Sequence, residues 1–202
     1  MKRIIAIALC LCLTLGLASC GDSSEKTTST KASASAYQQK PLSDNFYAYQ
    51  FQVDGDVITL PIKKNELESL GFEVSETGGS LVKYEATKDN IRFGLDVIDD
   101  YIFGMTLAGP DCDDLKGHEV KISGNFTMYK DNYQQILDKL GKPTGDRYGD
   151  EYEESGKEEC YIRLYNDGGG DKLTSVFMRN KEGLPKDVAS KVTTTTRSQR
   201  IL

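Results

Sequence analysis

The run DNYQQILDKLGKP, residues 131–143, reads as a complete helix with a start, an apolar face and a stop. Asp131 stands ahead of it with Gln134 three residues on, the spacing of a capping box. Tyr133, Ile136, Leu137 and Leu140 recur at i, i+3, i+4 and i+7, which places them on one face. Gly141 supplies a C-cap, and Pro143 forbids continuation. Seventy residues upstream, LESLG (67–71) has the pattern of LDKLG (137–141). There Asn65 and Glu68 have the capping-box spacing, Leu67 and Leu70 face inward, and Gly71 ends the helix.

Strands surround both helices. Tyr47, Tyr49, Phe51 and Val53 alternate with polar or small residues, as in a half-buried strand. Asp54-Gly55 then predicts a tight hairpin into Val57–Leu60, because both turn positions favour positive φ. Leu81–Ala86, Ile91–Ile98 and Tyr101–Leu107 read as three more strands, with Asp99-Asp100 as a turn. After a polar joint at 109–117 come a short strand over 119–123, the second helix, and a hairpin of Cys160–Tyr165 with Leu173–Met178. At the offset of 70, the strand at Ile91 falls on that at Tyr161, and Leu107 falls on Phe177. The expected architecture is α+β: an antiparallel sheet with short helices packed on one face, built from two tandem helix-plus-strands repeats. The globular part spans 45–183, with halves of about 45–110 and 118–183, and 184–202 reads as a polar, disordered tail.

Residues 121–178 resemble the small envelope domains of the BLIP-like and SmpA/OmlA-like group. Leu140-Gly141-Lys142-Pro143 matches the helix end Leu-Gly-x-Pro of that group, while Phe72-Glu73 departs from it in the first half. The resemblance implies an envelope location and a protein-binding or scaffolding role. It carries over no catalytic residue.

The N-terminus supplies an address. Lys2 and Arg3 precede an almost continuous apolar run, Ile4–Leu15, and small residues lead into Cys20. This is the layout of a secretory signal, too short for an ordinary membrane span. Leu17-Ala18-Ser19-Cys20 resembles the lipobox of bacterial lipoproteins. That implies cleavage between Ser19 and Cys20 and a diacylglyceryl group on the Cys20 sulfur, holding the protein to the outer face of a cell membrane. Of residues 21–36, half are Ser or Thr and none is large and apolar, so 20–44 reads as a lipidated cysteine and flexible tether.

Residues 1–19 hold two of the 25 basic residues and none of the 31 acidic ones, so the remaining chain carries a net charge of −8. An acidic chain without a basic cluster is a poor nucleic-acid binder. Two cysteines remain beyond Cys20. Cys112 and Cys160 form a possible disulfide, the alternative being two separate thiols. His118 is the sole histidine, in a Gly-His-Glu turn. The acidic loops at 111–114, 150–154 and 167–171 lack the ligand order of an EF-hand, so no metal and no cofactor is expected. Tyr148, Tyr152, Tyr161 and Tyr165 read as a candidate binding surface, because exposed sheet tyrosines suit protein or glycan contact. The leading reading is a non-catalytic domain that binds or scaffolds a protein or cell-wall partner. The alternatives are an envelope hydrolase using His118, or a small solute-binding lipoprotein.

Overall fold

Asp54 and Gly55 take φ of +49° and +100°, and fold β1 (Gln50–Val53) onto β2 (Asp56–Thr59). This hairpin opens the fold in a computed structural model that describes residues 37–38, 40–79, 83–107, 115, 117–146, 149–166 and 170–192. The chain then runs through β3 (Ile62–Lys63), α1 (Lys64–Ser69), β4 (Glu73–Glu76), β5 (Tyr84–Lys88), β6 (Ile91–Ile98) and β7 (Tyr101–Leu107). It continues with β8 (Val120–Ile122), β9 (Phe126–Thr127), α2 (Tyr133–Leu140), β10 (Asp150–Glu153), β11 (Cys160–Tyr165), β12 (Ser175–Asn180) and α3 (Lys186–Ala189).

The strands make two sheets, and the pairing among them is antiparallel. The smaller has the order β2-β1-β8-β9. The larger has the order β10-β11-β12-β7-β6-β5-β4, with β3 also paired to β7. The fold is thus α+β and sheet-dominated, with few and short helices.

Strand alternation sorts the large sheet into two faces. Phe93 and Leu95 of β6, Met105 and Leu107 of β7, and Ile162 and Leu164 of β11 point inward, into one continuous core. Phe51 of the small sheet meets Phe93 of the large one edge-on at 5.2 Å, so the core lies between the sheets. Leu67 of α1 and Ile136 of α2 join the same core, at 0% and 2% exposure. α1 and α2 therefore lie on the inner side, where their buried residues join the core, while Val188 of α3 packs on Phe103 in a separate cluster.

Element ends differ from the sequence reading in local ways. Phe46–Ala48 forms a 3-10 turn capped by Asn45, and β1 starts after it. α2 is capped by Asn132, whose Oδ1 accepts the Gln135 N–H, while Asp131 accepts the Thr127 N–H instead. In α1 the reciprocal bond runs from the Lys63 N–H to Glu66 Oε2. Described residues within the stretch read as tether are packed: the Tyr37 hydroxyl accepts the Thr59 N–H, and the Ser43 carbonyl accepts the Gly124 N–H. At the other end, Leu184 and Val188 are buried against Phe103, so residues 184–192 are folded where a frayed tail is the sequence expectation.

Candidate functional site

The proposed tyrosine surface is not an exposed one. Tyr152 is 3% exposed on the inner side, where its hydroxyl donates to the Gly141 carbonyl and its ring meets Phe46 edge-on. Burial, with the Asp150 carboxylate, pushes its hydroxyl up to about 12. Tyr161 does lie on the outer face of the large sheet, opposite Ile162 and Leu164, but it is 7% exposed. Its ring tilts against Phe177 at 5.5 Å, and Arg163 stacks over it at 4.6 Å. Tyr165 is half-buried and pressed on Gly149, where a Cβ would come within 2.6 Å of its ring. Tyr148 lies outside the described residues, as do Ser19, Cys20 and Cys112.

Cys160 carries a free, buried thiol. Its Sγ donates to Asn180 Oδ1 at 3.5 Å and accepts the Glu182 N–H at 3.4 Å, and burial pushes the thiol up. Such a thiol is a poor nucleophile. The Cys160 carbonyl accepts the Glu154 N–H, and the Glu154 carboxylate accepts the hydroxyl of Tyr49, just ahead of β1, which burial above all pushes up. His118 meets Asp54 beyond the far end of that strand. Tyr49 and Asp54 are five residues apart, roughly 16 Å along an extended chain. Cys160 and His118 are thus held toward opposite ends of β1, so the thiol is not a partner for the imidazole.

His118 does have an orienting carboxylate. Asp54 Oδ2 lies 2.6 Å from Nδ1, and Asp54 Oδ1 accepts the Glu119 N–H at 2.8 Å. These hydrogen bonds hold the Asp54 carboxyl below the usual range. The pair ties the β1–β2 turn to the approach to β8. Glu119 itself is held down at about 2, because Lys121 and Lys130 both bond its carboxylate. Among the described residues, no three His, Cys, Asp or Glu side chains are placed to hold a metal ion.

What the sequence reading missed is an arginine–aromatic ladder on the outer face. Tyr161 pairs across to Arg179, and Arg163 to Phe177, so cation and ring alternate on neighbouring strands. Arg163 is paired with Glu151 and lies over both Tyr161 and Phe177. Arg179 lies over Phe103 at 4.8 Å and bonds Glu159 Oε2 at 2.6 Å. Beside this ladder a low strip is limited to Thr106 of β7 and Gly94 of β6, which face each other, while the Asp96 side chain covers Gly104. The i, i+2 pattern Tyr161, Arg163, Tyr165 and Phe177, Arg179 carried the signal for this face. The ladder itself is packed rather than open, with Tyr161 7%, Phe177 6% and Arg179 1% exposed, so contact with another surface falls on the low strip beside it.

The chain matches no family model, no curated protein and no solved structure.

Proposed function

We propose that the protein is an extracytoplasmic lipoprotein, held to a bacterial membrane by lipid on Cys20, whose folded part binds or scaffolds a protein or cell-wall partner. The observation that carries this reading is Leu17-Ala18-Ser19-Cys20, set at the end of an apolar export run. Sixteen residues, 21–36, separate that cysteine from the first packed side chain, Tyr37.

The domain reads as two copies of one unit. The first would comprise the hairpin β1–β2, α1 and β4–β7, and the second β8–β9, α2 and β10–β12. Two antiparallel contacts support this. β1 lies against β8 in the small sheet, and β7 lies against β12 in the large one. A two-fold relation between the copies would produce both contacts at once. The likeness of the α2 end to the BLIP-like and SmpA/OmlA-like domains points the same way. For the binding face, the outer side of the large sheet is favoured by the low strip at Thr106 and Gly94, beside the packed arginine–aromatic ladder.

Two measurements test the reading. Cys20→Ser should abolish labelling by fatty acid and release the protein from the membrane fraction; equal labelling of mutant and parent ends the anchor claim. Thr106→Arg places a long cation in the low strip without touching the core. It should remove partners cross-linked to the native protein at the cell surface. An unchanged cross-linked set would sink the outer-face assignment.

A further inference from the structure

We propose that residues 193–202 add to the outer edge of β4 as a further antiparallel strand of the large sheet. This concerns the chain's own tail and stands apart from the anchor and the outer-face partner.

Among the described residues, three of the four sheet edges carry local partners. Along β10, the Gly145 and Glu151 backbones exchange hydrogen bonds. Thr127 of β9 donates its N–H to Asp131 Oδ2, and its carbonyl accepts the Asp131 N–H. Thr59 of β2 donates its N–H to the Tyr37 hydroxyl. β4 differs. The Thr77 N–H donates to the Lys83 carbonyl directly across, and the register runs on through Glu76 and Tyr84, so Glu73 and Ser75 turn their backbone groups toward β5. Val74 and Glu76 turn theirs the other way, and no described residue meets them. Unpaired donors and acceptors along an edge are a template for another strand.

Charge selects which strand. Glu73 and Glu76 are exposed, and the residues across from them are Thr87 and Tyr84, neither of them a cation. α1, beside β4, adds Glu66 and Glu68. The cations nearby are engaged: Lys64 lies over the Tyr84 ring, Lys88 pairs with Asp56 and Arg92 with Glu85. Lys83 stands past the end of β4, across from Thr77. A second copy's β4 laid on this edge would bring two more exposed glutamates to it, and like charges on neighbouring strands oppose pairing. A basic segment is favoured.

Residues 193–202, TTTTRSQRIL, have that charge and the reach. They carry Arg197 and Arg200 and no acidic side chain, and Thr193 to Thr196 and Ile201 are β-branched, as strands favour. They follow Val192, which packs in the cluster that holds Ile98, the last residue of β6. From β6 to a position outside β4 is three strand spacings, about 14 Å. Ten extended residues span about 33 Å, so about half of the segment remains to pair. Leu95 pairs with Tyr84, and Tyr84 with Glu76, so the Ile98 end of β6 lies toward the Glu76 end of β4. A chain arriving there runs from Glu76 toward Glu73, antiparallel to β4. So short a pairing is marginal alone, but a tethered segment has an effective concentration on the order of mM.

Hydrogen exchange tests this on the full-length chain and on the same chain stopped after Val192. The Val74 and Glu76 amides, which face away from β5, should exchange about tenfold more slowly in the full-length chain. The Ser75 amide, paired across to Glu85 in both, should not change. Arg197→Glu with Arg200→Glu, at full length, should bring Val74 and Glu76 to within about twofold of the shortened chain. Equal exchange of these two amides in the full-length and shortened chains would overturn the proposal. So would protection that rises with protein concentration, which marks a second copy on the edge, or protection indifferent to the charge reversal. Cys20→Ser and Thr106→Arg read other parts of the molecule, so a failed tail strand and a failed partner reading are told apart.

Discussion

Asp54 Oδ2 lies 2.6 Å from His118 Nδ1, across 64 residues of chain, and the same carboxylate accepts the Glu119 N–H. The contact closes the β1–β2 turn onto the start of β8, so its loss loosens the junction at the centre of the small sheet. Asp54→Asn is the clean test. Asparagine tolerates the positive φ of 49° as aspartate does, and it removes the charge while turning one of the two accepting oxygens into an amide donor. The side chain is 41% exposed, so the cost at neutral pH should be no more than about 1 kcal/mol.

The pH dependence follows from the lowered Asp54 carboxyl. Its folded pKa is below its unfolded value of about 4, so the contribution is complete above that value and lost as pH falls through the folded one. Urea midpoints of parent and Asp54→Asn should differ at pH 7 and converge in strong acid. A difference that persisted unchanged at the acid end would show that the carboxylate's charge is not what matters.

The two helices should respond unequally to the same truncation. Leu67 is fully buried, and Leu67→Ala should cost about 2–5 kcal/mol. Leu137 is half-buried at the edge of the core, so Leu137→Ala should fall below that range, while Ile136 is the fully covered residue of α2. Denaturant titration that ranked Leu137→Ala above Leu67→Ala would contradict the packing.

Those helices were readable because a period of 3.6 fixes a face, and Leu67, Tyr133 and Ile136 are buried as their spacing demands. The alternation of Ile91, Phe93 and Leu95 was readable for the same kind of reason. β4 and β10 were not. Glu73-Val74-Ser75-Glu76 and Asp150-Glu151-Tyr152-Glu153 lie toward the two ends of the large sheet, and each offers one large apolar residue to the core. Charged edge strands look like loops in sequence, because charge is what protects an edge. The outer face misled in another way. Tyr161 has the correct parity for a surface, yet Arg163 and Phe177 bury it, and no periodicity encodes stacking across strands. The tail misled because two apolar residues, Leu184 and Val188, suffice for a one-turn helix when Phe103 waits to receive them.

The cluster of Glu159, Arg179 and Asp96 should be asymmetric under mutation. Arg179 is 2% exposed in its side chain, Glu159 9% and Asp96 22%. Glu159→Gln leaves a buried cation facing only the Asp96 carboxylate at 3.4 Å, and breaking a buried pair this way costs about 3–5 kcal/mol. Arg179→Met instead leaves two carboxylates that can reach water more readily, and it fills the space with apolar atoms, so it should cost less. Thermal melts of both variants, with near-UV spectra to confirm native packing, give the comparison. Greater damage from Arg179→Met would mean that the guanidinium stacks for more than charge.

Whether the two sequence halves stand or fall together turns on the β1–β8 pair. Phe51 and Ile122 face each other in that register, both at 0% exposure, and both belong to the core that also holds Phe93 of β6 and Ile162 of β11. Ile122→Ala removes atoms from the second half of the chain at a point where the first half packs on them. The cost should be about 2–5 kcal/mol. If the core is one cooperative unit, amide protection must fall by the same free energy in Ile91–Leu107 as in Cys160–Tyr165, because both open through the same global unfolding. If instead each half unfolds alone, β6 and β7 would keep their protection while β11 and β12 lose theirs. Exchange measured on the parent and Ile122→Ala separates the two outcomes, and the shared Phe51–Ile122 contact predicts the first.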